Sequence, residues 1–295
     1  MVAAFLVNAF ANQVDSGSPT GVVLDADQID SDQMLAIARS LNVSHTAFLS
    51  QSGRTDCDFA IRFFTPNGEL KNCAHATIAA HCLRATRFGI SGDQPTRQET
   101  TSSIQEVWTH ASDEGFVVSF KQNEIVQKEV ARSTVQRLIQ AVACCSDVLH
   151  SNYPVKLVSP GSFRFIVPVK KDNDVLALTP DLKEIDKLCN EAQSIGCFVF
   201  SVNQLHSHGQ THGRMFAPTI GVDEDVVNGN SSGCLAAYLM ALPNGQRWGD
   251  ELHLQVLQGH SLGRPSSVNV RGQRVGGRIE TFVGGTAHVV EPVDV

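Results

Sequence analysis

RFFTPNGELKNCAHATIAAHCL, residues 62–83, finds its rhythm again in RMFAPTIGVDEDVVNGNSSGCLAAYL, residues 214–239. In both stretches an apolar, aromatic run ends at a proline. A loop follows, then tiny residues, then an apolar helix. RFFTP (62–66) answers RMFAP (214–218), and CAHATIAAHCL answers NGNSSGCLAAYL. A solenoid needs at least three copies, so two copies point to one unit used twice. Each half is expected to be a βαβ-rich unit whose strand feeds a helix with an unusually small N-terminal turn.

Working outward, the first half reads as strands over 3–9, 22–24, 46–49 and 58–64, a helix over 31–41 that Ser31 can cap, and a small-residue helix over 76–87. Alternating strands follow at 104–109 and 115–121. The second half reads as helices over 133–143, 180–192 and 233–242, with strands over 155–159, 163–168, 197–202 and 213–217. From 251 onward the chain is rich in strand patterns. Domain boundaries are expected at 1–125, with a strand from 280–295 returning to that domain, and at 126–279.

The tiny residues carry a chemical meaning. The first turn of a helix leaves backbone N–H groups without intrahelical partners and bears partial positive charge. Residues such as Ala, Gly, Ser and Asn let an anion approach that backbone. The bland alternative is that small side chains serve close packing of a buried helix. If the anion reading holds, the helix starts at Ala74-His75 and at Gly229-Asn230-Ser231 would grip one carboxylate in a cleft between the halves.

The same stretch packs Cys73, His75, His81 and Cys82 into ten positions, which invites a zinc reading. On a helix His75 and His81 lie about 240° apart, so the four cannot share one tetrahedral ion, and the spacing fits no zinc pattern. No metal and no cofactor are expected. His81 and Cys82 are read as core or helix-face residues. HSHGQTH (206–212) reads as a solvated polar loop, and a vicinal disulfide at Cys144-Cys145 would be strained.

Bulk properties exclude several classes. The 295 residues carry a net charge of −7 with 42 % hydrophobic and 18 % charged residues, which suits a well-cored globule. A nucleic-acid partner would need a basic face, and an anionic membrane surface would need a basic run; neither is present. MVAAFLVNAFA (1–11) lacks the charged start of a secretory segment and reads as a buried strand. Eight cysteines without regular spacing form no secreted framework, so a cytoplasmic setting is expected.

Four segments together resemble a known family. RFFTPNGELKNCAHATIAAH is similar to its R-x-F-T-P-x-x-E-x-x-x-C/A-G-H-x-T signature, and GRMFAPTIGVDEDVVNGNSSG (213–233) to its G-R-x-F-x-P-x-x-G-x-x-E-D-P-x-T-G segment. QGHSLGRPS (258–266) resembles its Q-G-x-x-x-G-R-P-S loop, and VNAFANQVDSGSPTGVV (7–23) its opening. On these motifs the chain is identified as a member of the phenazine-biosynthesis isomerase-like (PhzF-like) family. The resemblance implies an α+β, diaminopimelate-epimerase-like fold. Two pseudo-symmetric domains would each wrap a curved, mostly antiparallel sheet around a central helix. It also implies a metal- and cofactor-independent isomerase acting on a small carboxylate-bearing metabolite, commonly as a homodimer.

Carried across residue by residue, the resemblance exposes a substitution. Where the family has S-E-T-x-F with a catalytic glutamate, this chain has SHTAF (44–48), placing His45 at that position. His75 and Asp225 match the family's assisting histidine and aspartate. Ser18 stands for its asparagine, Ala74 for a glycine, Val226 for a proline, and Asn228-Gly229-Asn230 for its T-G-S/N run. In related cysteine racemases two thiols flank the reacting carbon. Cys73 matches one of them, but Asn228 stands at the other, so that mechanism is broken here. His45 is expected as general acid/base, with His75 and Asp225 assisting. Ser18, Cys73, Ala74, Asn228, Gly229, Asn230 and Ser231 are expected to line the substrate. Two alternatives stay open: His45 binds substrate while another group does the chemistry, or the protein binds a ligand in the same cleft without turnover.

Overall fold

The computed structural model describes residues 2–11, 13–113, 115–142 and 152–295. Its strands are β1 Ala3–Ala9, β2 Ser18–Val23, β3 His45–Ser50, β4 Phe59–Thr65, β5 Gly68–Leu70, β6 Gly92–Glu99, β7 Ile104–Ser112, β8 Gly115–Lys121, β9 Val126–Glu129, β10 Lys156–Ser159, β11 Phe163–Val169, β12 Ser194–Ser201, β13 Gln210–Ala217, β14 Val222–Asp225, β15 Glu251–Gln258, β16 Ser266–Val275, β17 Arg278–Gly285 and β18 Ala287–Asp294. The α-helices are α1 Ser31–Leu41, α2 Ala74–Phe88, α3 Arg132–Ala141, α4 Asp172–Leu176, α5 Leu182–Glu191, α6 Leu205–His208 and α7 Gly229–Ala241. The chain divides into two compact units. One comprises Met1–Lys121 with Gly284–Val295, the other Gln122–Val283.

In the first unit the strands pair in the order β18-β1-β2-β3-β4-β6-β7-β8, with β5 folded back on β4. All neighbours are antiparallel except β2–β3 and β4–β6. Helix α1 bridges the first parallel pair and α2 the second, because parallel neighbours need a crossover. α2 packs against β18, β1, β2 and β3 and also against β7 and β8, so the sheet curls around it. That enclosure explains its composition. Ala74 through Leu83 are all buried, and a helix buried on every side has no use for a polar face.

The second unit repeats the plan. Its order is β9-β10-β11-β12-β13-β15-β16, with β14 on β13, and the parallel pairs are β11–β12 and β13–β15. α4 and α5 span the first crossover and α7 the second. α7 is the counterpart of α2 and is buried at Gly229 and from Ser231 to Met240. The α+β expectation, with a mostly antiparallel sheet around one central helix in each half, is therefore met, and the repeat shows in the pairing itself.

Local corrections have local causes. Asp30, not Ser31, caps α1, its carboxylate accepting from the Gln33 N–H while Gln33 Oε1 accepts from the Asp30 N–H. α5 starts at Leu182, with Asp181 as its cap accepting from the Lys183 and Glu184 N–H groups. α7 starts four residues before the expected Gly233, because Asn228 caps it and tertiary burial holds its Gly and Ser residues helical. β6 has no pattern in the sequence, being GDQPTRQE, a polar strand held by β7 and by the start of β4. HSHGQTH is not one polar loop: it spans α6 and the start of β13. Cys144-Cys145 lies outside the described residues. No helix of the described chain is long and apolar enough to cross a membrane.

Candidate active site

The first unit brings three predicted residues together. His45 opens β3, Cys73 is the N-cap of α2, and His75 is the second residue of that helix. β3 lies beside β2, with Thr20 paired to His45, which sets the His45 ring over the helix start. The His45 and His75 rings stack with centroids 4.9 Å apart and planes 10° apart. A nitrogen of each ring and the Cys73 sulfur all lie within 4.8 Å of one another. His75 is 4 % exposed and Cys73 6 %, whereas His45 is only partly covered. Imidazoles and thiol thus gather where the first turn of α2 offers its N–H groups and the positive end of its dipole.

Neighbours fix the cluster. His45 Nδ1 lies 3.0 Å from Ser44 Oγ, which directs Nε2 away from the serine. Ser44 in turn reaches the Pro19 carbonyl and Ser18 Oγ, each at 3.5 Å, so Ser18 joins the site through Ser44. The Phe10 and His75 rings meet in a T-shaped contact with centroids 5.8 Å apart. Phe10 is fully buried and holds φ +58°, a left-handed conformation that costs a bulky residue energy and recurs at functional sites. Gly285 gives its ring room, since a Cβ there would lie 2.5 Å from Phe10 Cδ1. Ser44 and Phe10 were missed as site residues. Only the N-A-F at 8–10 and the serine beside His45 hinted at them.

His81 and Cys82 point elsewhere. His81 Nε2 pairs with Gln98 Oε1 at 2.9 Å, and complete burial, partly offset by that bond, holds its pKa at about 4. Cys82 donates to the Phe116 carbonyl, and burial pushes its thiol up to about 12. Both are inert core groups, as expected, and the four-residue zinc reading has no geometric basis.

The second unit gathers Asp225, Asn228, Gly229, Asn230 and Ser231 at the start of α7. Asn228 Nδ2 donates to Asp225 Oδ2 at 2.9 Å, and Asn228 Oδ1 caps the helix by accepting from the Ser231 N–H at 2.8 Å. The Ser231 N–H, one of those expected to hold a carboxylate, is therefore already engaged. Gln122 donates to the carbonyl and the side-chain oxygen of Asn230. Gln258 ties the cluster together, its Oε1 accepting from the Asn228 N–H and its Nε2 donating to Ser232 Oγ. Beside this, Arg214 is clamped on Glu224 by two bonds of 2.9 and 2.7 Å, and Ser261 donates to the same carboxylate. Gln258 begins the QGHSLGRPS motif but was not predicted as a site residue. Its role rests on a contact thirty residues away in sequence.

The model of the family described as phenazine biosynthesis-like protein matches residues 7–292. An Escherichia coli O157:H7 protein named uncharacterized isomerase YddE is 33 % identical over 268 residues, covering 90 % of this chain and 88 % of its own. The trans-2,3-dihydro-3-hydroxyanthranilate isomerase of Pseudomonas aeruginosa is 26 % identical over 278 residues, covering 93 % and 91 %. In fold, the chain is similar to the Bacillus anthracis phenazine biosynthesis protein of the PhzF family, with TM-score 0.90 at 24 % identity over 100 % of this chain and 98 % of that one. The chain belongs to the phenazine biosynthesis-like protein family.

Proposed function

We propose that this protein is an isomerase that moves a proton on a small carboxylate-bearing metabolite, using its own side chains. The observation that carries the reading is the His45–His75 stack at the start of α2. Family membership and the isomerase names of its relatives support the class, and the hydroxyanthranilate in one of those names supports a carboxylate substrate. His45 acts as the general acid/base. Its partial exposure lets a substrate reach it, and an imidazole can both take and return a proton through its ring nitrogens. His75 is the partner in that exchange. Asp225 assists by the family pattern, held by Asn228. The first turn of α2 binds the substrate carboxylate.

Deuterium wash-in tests the proposal. Candidate carboxylic acids are incubated with the protein in heavy water and incorporation at carbon is followed. Exchange is expected, and His45→Ala should lower it by about a hundredfold or more. A ligand that binds tightly yet shows no exchange would overturn it in favour of a binding protein. Undiminished exchange in His45→Ala would move the base elsewhere.

A further inference from the structure

The three donors that meet at the head of α2 are two imidazoles and one thiol, and that set has a second chemistry. We propose that His45, Cys73 and His75 together bind one soft divalent ion, Zn²⁺ being the best match, with a fourth position open to water or a carboxylate. Among the described residues they are the one group of three such donors whose ligand atoms converge, all within 4.8 Å. Around a tetrahedral zinc, donor atoms sit about 3.4–3.6 Å apart. Closure therefore asks for a contraction of about 1.5 Å at most. The partly covered His45 ring supplies it by tilting out of its near-parallel stack on His75.

Several features favour the ion. One thiolate and two neutral imidazoles are borderline-soft donors, which select zinc over magnesium or calcium. Three protein ligands with an open fourth position are the arrangement of reactive rather than structural zinc. Ser44 engages Nδ1 of His45 and so orients Nε2, as the hydrogen-bond partner behind a ligating histidine does. The start of α2 favours the negative thiolate of Cys73. The donor set exists because this chain has His45: a glutamate there would offer a hard oxygen in place of a nitrogen. On binding, the Cys73 S–H bond breaks, its proton passes to solvent, and the sulfur lone pair forms the bond to the ion, so affinity rises with pH.

Binding stands apart from the proposed proton transfer; only its consequence rests on it. With its ring nitrogen ligated, His45 could not act as a base, and the ion would be an inhibitor of the isomerase.

The test needs no substrate. The intact protein, stripped with a chelator, is titrated with Co²⁺, whose thiolate complexes show a near-ultraviolet charge-transfer band. We expect a saturable band at one ion per chain, displaced by Zn²⁺. Cys73→Ser should lose the band, with the far-ultraviolet circular dichroism unchanged, and His45→Gln should weaken binding by at least about tenfold. His208→Gln, on a helix of the second unit, should leave the band as it is. No band in the unmodified protein, a band that survives Cys73→Ser, or unchanged affinity in His45→Gln would overturn the proposal. If Cys73→Ser fails to fold, the His45→Gln titration decides alone. Loss of the metal site with exchange intact would leave the proton-transfer reading standing, and the reverse outcome would leave the metal site standing.

Discussion

At the scale of single residues, the site is a matter of what each imidazole touches. Ser44 holds His45 by Nδ1, and Phe10 packs at right angles to His75. Ser44→Ala should keep the fold and lower deuterium exchange by about tenfold, with an altered pH profile, because it removes the group that orients the ring. An unchanged pH profile would show that the serine does not position the base. His45 was legible in the sequence, since SHTAF differs from the family pattern at one telling letter. Its partners were less so. A sequence reveals which side chain stands at a motif position, whereas the ring that packs against it comes from a helix further along the chain.

At the scale of elements, the two central helices begin differently. α7 carries the Asn228 cap, and Asn228→Ala should cost about 1 kcal/mol in chemical denaturation by leaving the Ser231 N–H without its acceptor. Gly285 presses on the other helix's site from β17. Gly285→Ala must displace Phe10, so we expect a loss of about 1–3 kcal/mol and reduced exchange. A variant as stable and active as the parent would show that Phe10 has room to move. Elements with strong periodicity, such as α1, β1 and β4, were read from the sequence to within a residue or so. α7 was read four residues short and β6 not at all. In both, burial and pairing with distant strands override what local propensity suggests.

At the scale of the whole molecule, acid stability offers a further test. His81 is buried and neutral in the folded chain, with a pKa of about 4, against the ordinary 6.5. Above pH ~6.5 neither state binds the proton. Below that the unfolded chain gains a proton the native one does not, so stability falls until the native ring protonates near 4. The loss from this group is about 3 kcal/mol between those limits. Urea unfolding of the parent and of His81→Gln at pH 7 and pH 4.5 should show a smaller decline in the variant. An equal decline would assign the acid sensitivity to other groups. The overall plan was the most legible feature of all, because a repeated motif constrains the pairing of a dozen strands, while the Cys82 and His81 environments depend on packing that no spacing rule encodes.

The strand β18 pairs with β1 across nearly three hundred residues, and Val2 and Val295 exchange backbone hydrogen bonds. The second unit, by contrast, is one unbroken segment, Gln122–Val283. During synthesis the second unit therefore has all its strands first, and the first unit must wait for Gly284–Val295 to leave the ribosome. The unit whose synthesis starts first would thus be the one that closes second.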